Sequence, residues 1–140
     1  MRLLIVNGPN LNLIGQREEE IYGKESFSDY LEVLRAEKSV ELDYYQSNVE
    51  GELINALQDS NHDGIILNAG GYTHTSVAIG DCVKAIKVPV VEVHISNIAD
   101  REPFRHISLI SANAEGCIFG FGLDSYGLAI DYFANYLNKR

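Results

Sequence analysis

The chain has 140 residues, of which 46% are hydrophobic and 22% are charged, and its formal net charge at pH 7 is −9. This length suits a single domain, residues 1–140, and this composition is typical of a globular protein. The acidic balance disfavours nucleic acid and anionic membranes as partners, because phosphate surfaces attract basic patches.

The N-terminal segment predicts a short buried strand over residues 2–7, which ends at Gly8-Pro9. Its four consecutive apolar residues are fewer than the roughly 7–15 of a secretory signal core. No run in the chain approaches the roughly 18 apolar residues of a membrane-spanning helix. We therefore expect a cytoplasmic protein. Residues 8–25 then form a long polar loop, and loops of this length are usually functional lids or disordered.

Helical and strand patterns alternate along the rest of the chain. Ser26 is a candidate N-cap, and Ser47 and Glu50 have the spacing of a capping box. Helices are predicted over about 26–38, from 50 onward, from 75 or 76 to 86, and over 123–137. Strands are predicted over 40–46, 64–68 and 88–94, and a last one over 107–111 and 116–121. The alternation predicts an α/β fold with a doubly wound parallel sheet of about five strands.

The last helix and the two cysteines give specific predictions about burial. The apolar side of the closing helix is expected to carry five residues, namely Leu128, Ala129, Tyr132, Phe133 and Tyr136. Cys82 and Cys117 lie far apart in apolar surroundings without a Cys-x-x-Cys motif. We therefore expect them to be buried, reduced thiols.

Three polar segments follow or end predicted strands and attract attention as a site. They are Asn7-Gly-Pro-Asn-Leu-Asn-Leu-Ile-Gly-Gln-Arg17, Asn68-Ala-Gly-Gly-Tyr-Thr-His-Thr75 and Glu92-Val-His-Ile-Ser-Asn97. Ligands of open parallel α/β sheets bind outside the carboxyl ends of the strands. The three segments are therefore expected to form one composite site.

Several chemistries that use such a fold do not fit these segments. Strand ends at Asn7 and Asn68 lack the acidic residues of a phosphate-receiving domain, and P-loop, dinucleotide and nucleophile-elbow motifs are missing from the sequence. No lysine falls at a predicted strand end, which disfavours Schiff-base chemistry. The four histidines do not form a ligand motif, so no metal is expected. His62 is expected to lie in a solvated loop. His106 is expected either to hold an anion or to cap local structure. What remains suits cofactor-free acid–base chemistry on a small oxygenated anion.

The polar segments, together with Gly15-Gln-Arg-Glu-Glu-Glu-Ile-Tyr-Gly23 and Arg101-Glu-Pro-Phe-Arg105, resemble those of the type II 3-dehydroquinases. The resemblance covers nearly the whole chain. It implies a flavodoxin-like, three-layer α/β/α fold and a lyase without cofactor. Members of that family dehydrate 3-dehydroquinate to 3-dehydroshikimate in aromatic biosynthesis or quinate breakdown.

The same resemblance implies catalytic roles. Tyr22 matches the family's base, which acts as a tyrosinate, and Arg17 matches the cation that stabilises it. A free tyrosine has a pKa of about 10, so such a base needs a neighbouring cation. Asn10 matches the residue that stabilises the enolate through a bound water, and His94 matches the general acid. Glu92, two residues earlier on the same strand face, is expected to orient the imidazole.

Substrate-binding roles follow from the same matches. The backbone N–H groups of Ile95 and Ser96 match those that hold the substrate carboxylate. Arg101 matches an arginine in the lid region, and Asp81 an acidic residue reaching the site from a neighbouring subunit of a dodecamer built from trimers. Ring hydroxyls are expected to be held by Asn68, His74 and Arg105. Two alternatives stay open, a non-catalytic carboxylate-binding protein and a different cofactor-free lyase or isomerase.

Overall fold

A five-stranded parallel sheet organises the protein, and the computed structural model describes residues 1–15, 26–137 and 139 of it. The strands are β1 Arg2–Asn7, β2 Glu41–Gln46, β3 Gly64–Asn68, β4 Val90–His94 and β5 Gly116–Phe119. They pair in the order β2-β1-β3-β4-β5, and every pairing is parallel. The predicted five-stranded parallel sheet is confirmed. The strand order reverses between β1 and β3, which is where sheets of this kind bind ligands.

Helices cover both faces of the sheet and give three layers. The described helices are α1 Phe27–Glu37, α2 Glu50–Asp59, α3 Val77–Ala85 and α4 Asp124–Leu137. Because side chains alternate along a strand, Leu3 and Ile5 of β1 pack with α1 and α4, whereas Leu4 and Val6 pack with α2 and α3. None of the described helices is both long enough and apolar enough to cross a membrane.

Two of the predicted helix starts are confirmed, and one is wrong in detail. The Ser26 hydroxyl accepts a hydrogen bond from Asp29 N at 3.2 Å, and Ser76 accepts one from Ile79 N at 2.9 Å. The capping box at Ser47 does not form, because the N-cap of α2 is Val49. Ser47 accepts from Val49 N at 2.9 Å and donates to the carboxylate of Glu52. It closes a turn after β2 instead of capping the helix.

The last third of the chain is less regular than predicted. Residues 107–111, expected in a strand, form a loop that ends in a 3₁₀ turn, Ser111–Asn113, and β5 ends at Phe119. A 3₁₀ turn, Pro103–Arg105, precedes this loop. On α4 the prediction for Leu128 is wrong, since it is 43% exposed. The fully buried face of this helix carries residues three and four apart, namely Tyr126, Ala129, Ile130 and Phe133.

Candidate active site

The loops at the carboxyl ends of β1, β3 and β4 enclose a cavity of about 150 Å³. Residues from all three polar segments line it, as the sequence predicted, together with apolar side chains such as Leu13 and Ile14. Eight of the residues assigned to the site by sequence are in this lining: Asn10, Asn68, His74, His94, Ile95, Ser96, Arg101 and Arg105. The composite site predicted from separate loops is therefore one physical cavity.

A buried hydrogen-bond chain joins β1 and β3 at the floor of the cavity. The hydroxyl of Tyr126 donates to Asn7 Oδ1 at 2.7 Å and accepts from Asn68 Nδ2 at 2.9 Å. Asn68 Oδ1 accepts from Gly70 N at 3.1 Å, so both ends of this amide are engaged. Gly8 allows the close approach of the two strand ends, because a Cβ there would lie 2.5 Å from the carbonyl oxygen of Ala69.

Asn10 has a backbone conformation that few residues adopt. Its φ is 68°, in the left-handed region, where asparagine is several-fold enriched over most non-glycine residues. Asn10 N donates to Asn48 Oδ1 at 3.0 Å, and Asn10 O accepts from Leu13 N at 3.0 Å. These bonds hold the turn in place, so the exposed side chain of Asn10 is carried at a fixed point on the rim of the cavity.

His94 ends β4 and is oriented from behind by Glu92. His94 Nε2 lies 2.7 Å from Glu92 Oε1, and the two side chains share a face of the strand. Since a carboxylate accepts hydrogen bonds, Nε2 carries a proton and Nδ1 is the nitrogen that can exchange one in the cavity. The His74 ring stacks beside it with the two centroids 6.2 Å apart. His74 Nδ1 donates to the carbonyl of Ile107 at 2.8 Å.

Glu92 is fully buried, yet its surroundings favour the ionised form. Burial is the largest single influence and raises the pKa of Glu92, whereas hydrogen bonds from His94, Ser111 and Ser108 and the positive charge of His94 lower it. The lowering influences together outweigh burial, so the pKa of Glu92 lies below its ordinary value. Behind the histidine there is therefore a carboxylate that keeps its charge in the interior.

Two arginines give the other side of the cavity a positive character. Arg105 Nε donates to Glu102 Oε2 at 2.5 Å, and Arg101 donates to Ser96 Oγ at 3.4 Å. The Arg105 hydrogen bond is the main reason that the pKa of Glu102 lies below its usual range. The side chains of Arg101 and Arg105 are 17% and 24% exposed, respectively. Partly buried guanidinium groups beside backbone at the end of a strand suit a small anionic ligand.

Among the described residues, one trio combines side chains that metals can use. Ligand atoms of Glu92, His94 and Cys117 lie within 4.8 Å of one another, and zinc accepts all three types. Both Glu92 oxygens already accept hydrogen bonds, however. Burial, and then the neighbouring Glu92, raises the pKa of Cys117 to about 12, so this thiol is protonated. We assign no chemical step to a metal there.

Three residues assigned from the family resemblance are not brought into this cavity by the described part of the chain. Asp81 is exposed on α3 and does not line it. Tyr22, the expected base, and Arg17, the cation expected beside it, fall in 16–25, outside the described residues. Their roles, and that of Asp81, stay predictions.

The other histidine and cysteine predictions have mixed outcomes. Cys82 is a buried free thiol as expected, whereas Cys117 is free but only half-buried. The solvated role expected for His62 is wrong, because its side chain is 10% exposed and lies 2.8 Å from Asp43 Oδ2. His106 has the local role, since its Nε2 donates to the carbonyl of Arg101 at 3.0 Å.

Sequence reasoning missed two groups that support the site. Ser108 and Ser111 contact Glu92 from a segment that the sequence pattern predicts as a strand. The sequence pattern places Tyr126 in the closing helix and does not indicate that its hydroxyl joins Asn7 and Asn68. Ser108 and Ser111 follow β4 only after an intervening loop with two 3₁₀ turns, so no local spacing in the sequence links them to Glu92.

Comparison with known proteins gives consistent matches along the chain. A family model described as dehydroquinase class II matches residues 1–134. The chain is 48% identical over 147 residues to the 3-dehydroquinate dehydratase of Fusobacterium nucleatum subsp. nucleatum, covering 99% of this chain and 100% of that protein. It is 52% identical over 143 residues to that of an Exiguobacterium species, covering 100% and 99%. The solved type II dehydroquinase from Butyrivibrio crossotus has a TM-score of 0.91 and 42% identity, covering 96% of this chain and 97% of that one.

Proposed function

The chain belongs to the class II dehydroquinase family, and we propose that it is a 3-dehydroquinate dehydratase of the shikimate pathway. As a hydro-lyase it converts 3-dehydroquinate to 3-dehydroshikimate and water by anti elimination through an enolate. The observation that carries the proposal is the lining of one cavity by eight residues that match the family's site. A hydroxylated carboxylate suits this lining, which combines arginines, histidines, amides and a strand-end backbone.

The proposed reaction has two proton transfers on opposite sides of the substrate. Tyr22, as a tyrosinate beside Arg17, removes a proton from the carbon next to the ketone. Asn10 stabilises the resulting enolate oxygen through a water, since negative charge develops there. His94 then gives a proton to the departing hydroxyl, which leaves as water. The 2.7 Å contact between His94 Nε2 and Glu92 supports this role, because it leaves Nδ1 for the substrate.

Binding of the substrate is assigned to the remaining lining residues. The backbone N–H groups of Ile95 and Ser96, directly after β4, hold the carboxylate. Arg101 closes the site. The ring hydroxyls are held by Asn68, His74 and Arg105. The proposal assigns no cofactor or metal to any step.

The first test mixes purified protein with 3-dehydroquinate in the presence of a chelator and follows ultraviolet absorbance. We expect a rise from the conjugated enone product. No rise from folded protein that still binds the compound would favour the carboxylate-binding alternative. Turnover of another cyclic hydroxy acid, with none of 3-dehydroquinate, would favour a different lyase or isomerase.

A substitution at Tyr22 tests the proposed base. We expect Tyr22→Phe to lower kcat by at least about a hundredfold, the lower range for loss of general base catalysis, while the substrate still binds. The matched control is Tyr45→Phe, which removes the hydroxyl of a half-buried tyrosine on β2. Steady-state kinetics and calorimetric binding of 3-dehydroquinate measure the two effects. Unchanged turnover in Tyr22→Phe would remove the base from the proposal.

Assembly and location complete the proposal. A homododecamer made of trimers, with Asp81 reaching the neighbouring site, would use the exposed position of that side chain on α3. Sedimentation of the purified protein measures the assembly size, and a dodecamer is the expected result. The cytoplasmic location stays a prediction from the sequence.

A further inference from the structure

The carboxylate behind His94 is surrounded by hydrogen-bond donors from a separate loop. Glu92 is 0% exposed, and burying an ionised carboxylate is costly unless hydrogen bonds replace its hydration. Its Oε1 accepts from His94 Nε2 and from Ser108 Oγ, each at 2.7 Å. Its Oε2 accepts from Ser111 Oγ. Each oxygen of the carboxylate therefore has a serine hydroxyl bound to it.

The direction of the Ser108 hydrogen bond is fixed by the backbone around it. Ser108 Oγ accepts from the N–H of Ile110 at 3.1 Å and from the N–H of Ser111 at 3.0 Å. A hydroxyl has two acceptor positions and one proton. With both acceptor positions engaged, Ser108 has only its proton to offer, and Glu92 receives it. The geometry makes this side chain a permanent donor.

Ser111 is anchored by the same turn. Its N–H is held by Ser108, and it begins the 3₁₀ turn Ser111–Asn113, so its side chain starts from a fixed backbone. Because its hydroxyl reaches the second oxygen of Glu92, rotation of the carboxylate would break a bond on each side. Protonation of the carboxylate would likewise lose one of its donors.

We infer that Ser108 and Ser111 are positioning residues of the proposed dehydration, which hold Glu92 ionised and in one orientation so that His94 presents Nδ1 to the substrate. The inference rests on the proposed function for its catalytic consequence. The imidazolium of His94 gives its Nδ1 proton to the departing hydroxyl. The neutral ring keeps the proton on Nε2, which still donates its hydrogen bond to Glu92. Neither serine lines the cavity, so both act on the reaction only through Glu92 and His94.

Ser111→Ala is the sharpest test, because Ser108 and its two backbone bonds stay in place. We expect kcat to fall about 10- to 100-fold, the effect typical of removing an outer-shell partner, with KM changed less than about threefold. Ser111→Thr keeps the hydroxyl and should recover most of kcat. The matched control is Ser60→Ala, because Ser60 Oγ lies 2.9 Å from His62 Nδ1 in a second histidine–carboxylate pair. Neither residue of that pair lines the cavity, so the kcat of Ser60→Ala should equal that of the unchanged protein.

The pH profile distinguishes positioning from simple loss of stability. Hydrogen bonds lower the pKa of Glu92 against burial, so removing the Ser111 donor raises it. The carbon-13 signal of the Glu92 carboxyl should then titrate at higher pH in Ser111→Ala, by on the order of one pH unit for a tenfold weaker interaction. The titratable groups that face Glu92 are His94 on its own strand and Cys117 on β5. With its pKa at about 12, the Cys117 thiol stays neutral throughout this range.

A second measurement needs no turnover. Nitrogen-15 NMR of the His94 ring reports which nitrogen holds the proton, and we expect the Nε2 proton in the unchanged protein and a mixture in Ser111→Ala. Folded Ser111→Ala with unchanged kcat, Glu92 titration and ring signals would overturn the inference, as would equal loss in Ser111→Thr. Absence of turnover in the unchanged protein would defeat the proposed function instead, while the ring signals would still decide whether the serines position His94.

Discussion

Two histidines in this protein have the same kinds of partner in different environments. His94 contacts Glu92, which binds Ser108, whereas His62 contacts both Asp43 and Ser60. The side chain of Glu92 is 0% exposed, and that of Asp43 is 51% exposed. A charge pair in the interior holds its geometry because water cannot replace it, whereas an exposed pair contributes little. The residue types alone do not distinguish the two sites.

The hydroxyl of Thr73 leads to a prediction at the residue scale. In the part of the chain that the structure describes, Thr73 Oγ1 is buried without a hydrogen-bond partner. A buried polar group in that state costs about 1–3 kcal/mol. We expect Thr73→Val, which keeps the shape of the side chain, to leave the melting temperature unchanged or raise it by a few degrees.

Ser76→Ala is the comparison for Thr73→Val, because the Ser76 hydroxyl is also buried but accepts from Ile79 N. It should destabilise the protein by about 0.5–2 kcal/mol, the usual effect of losing a cap. Thermal unfolding of both variants measures the contrast. A loss in Thr73→Val as large as that in Ser76→Ala would mean that the threonine hydroxyl is satisfied in solution.

At the scale of elements, α3 packs unusually close to the loop that supports Glu92. A Cβ at Gly80 would lie 2.2 Å from the carbonyl oxygen of Leu109, which is backbone and has little freedom to move. Gly80→Ala should therefore destabilise the protein by about 1–3 kcal/mol despite the better helix propensity of alanine. The measurement is denaturant unfolding.

The control for Gly80→Ala is Gly51→Ala, because nothing lies within 4 Å of the added Cβ at that position of α2. We expect it to be neutral or to stabilise the protein by up to about 1 kcal/mol. Equal stability of the two variants would show that the loop at Leu109 yields easily, and the tight contact with α3 would then have no energetic weight.

The elements with strong local signals were predictable from the sequence, and those with tertiary causes were not. Ser26 and Ser76 cap helices because each hydroxyl accepts a hydrogen bond from a free backbone N–H only three residues further on. The segment 107–111 has the apolar content of a strand, but it is held as a loop by Ser108 and by the bond from Leu109 N to Thr73 O at 2.9 Å. Those partners are distant in sequence or lie within an unusual turn.

The site shows the same division. Residues at strand ends line one cavity, which the sequence predicts because parallel strands bring their carboxyl ends together. Their specific roles are implied by the family resemblance, which identifies the site residues but not the side chains that hold them in place. The serines behind Glu92 and the hydroxyl of Tyr126 became visible only when the loops and α4 were in place. Supporting contacts depend on three-dimensional packing, so periodicity cannot reveal them.

At the scale of the whole molecule, an ionic cluster joins three parts of the sheet. Arg2 of β1 donates to Asp43 of β2 at 2.7 Å, and His62, just before β3, lies 2.8 Å from the same oxygen. Hydrogen bonds from His62 and then Arg2 hold the pKa of Asp43 below its ordinary value. The cluster therefore ties the edge strand to the centre of the sheet when Asp43 is ionised.

This cluster predicts how stability changes with pH. Because the pKa of Asp43 is lowered on folding, its contribution is present above the ordinary value of 3.8 and is lost as the pH falls through the lowered value. At pH 7, Asp43→Asn should have a lower melting temperature than the unchanged protein. The loss in free energy of unfolding should be no more than about 1 kcal/mol, because the pair is exposed. The difference should vanish in strong acid.

Thermal unfolding between pH 7 and pH 2 measures the effect, and Asp59→Asn, which removes an exposed carboxylate at the end of α2, is the control. The control should keep the pH dependence of the unchanged protein. A constant gap between Asp43→Asn and the unchanged protein down to pH 2 would show that ionisation of Asp43 is not the cause.

The hydrogen bond from Tyr126 to Asn7 spans 119 residues of chain, and this has a consequence for biosynthesis. The ribosome releases β1 first, but both strands that pair with β1, and the tyrosine that completes the floor of the cavity, follow later. At translation rates of about 5–20 residues per second, β1 remains an apolar segment without its tyrosine for on the order of ten seconds. A nascent chain cut short before residue 126 would thus lack a competent site, and the apolar face of the sheet that packs with α4 would stay exposed to chaperones.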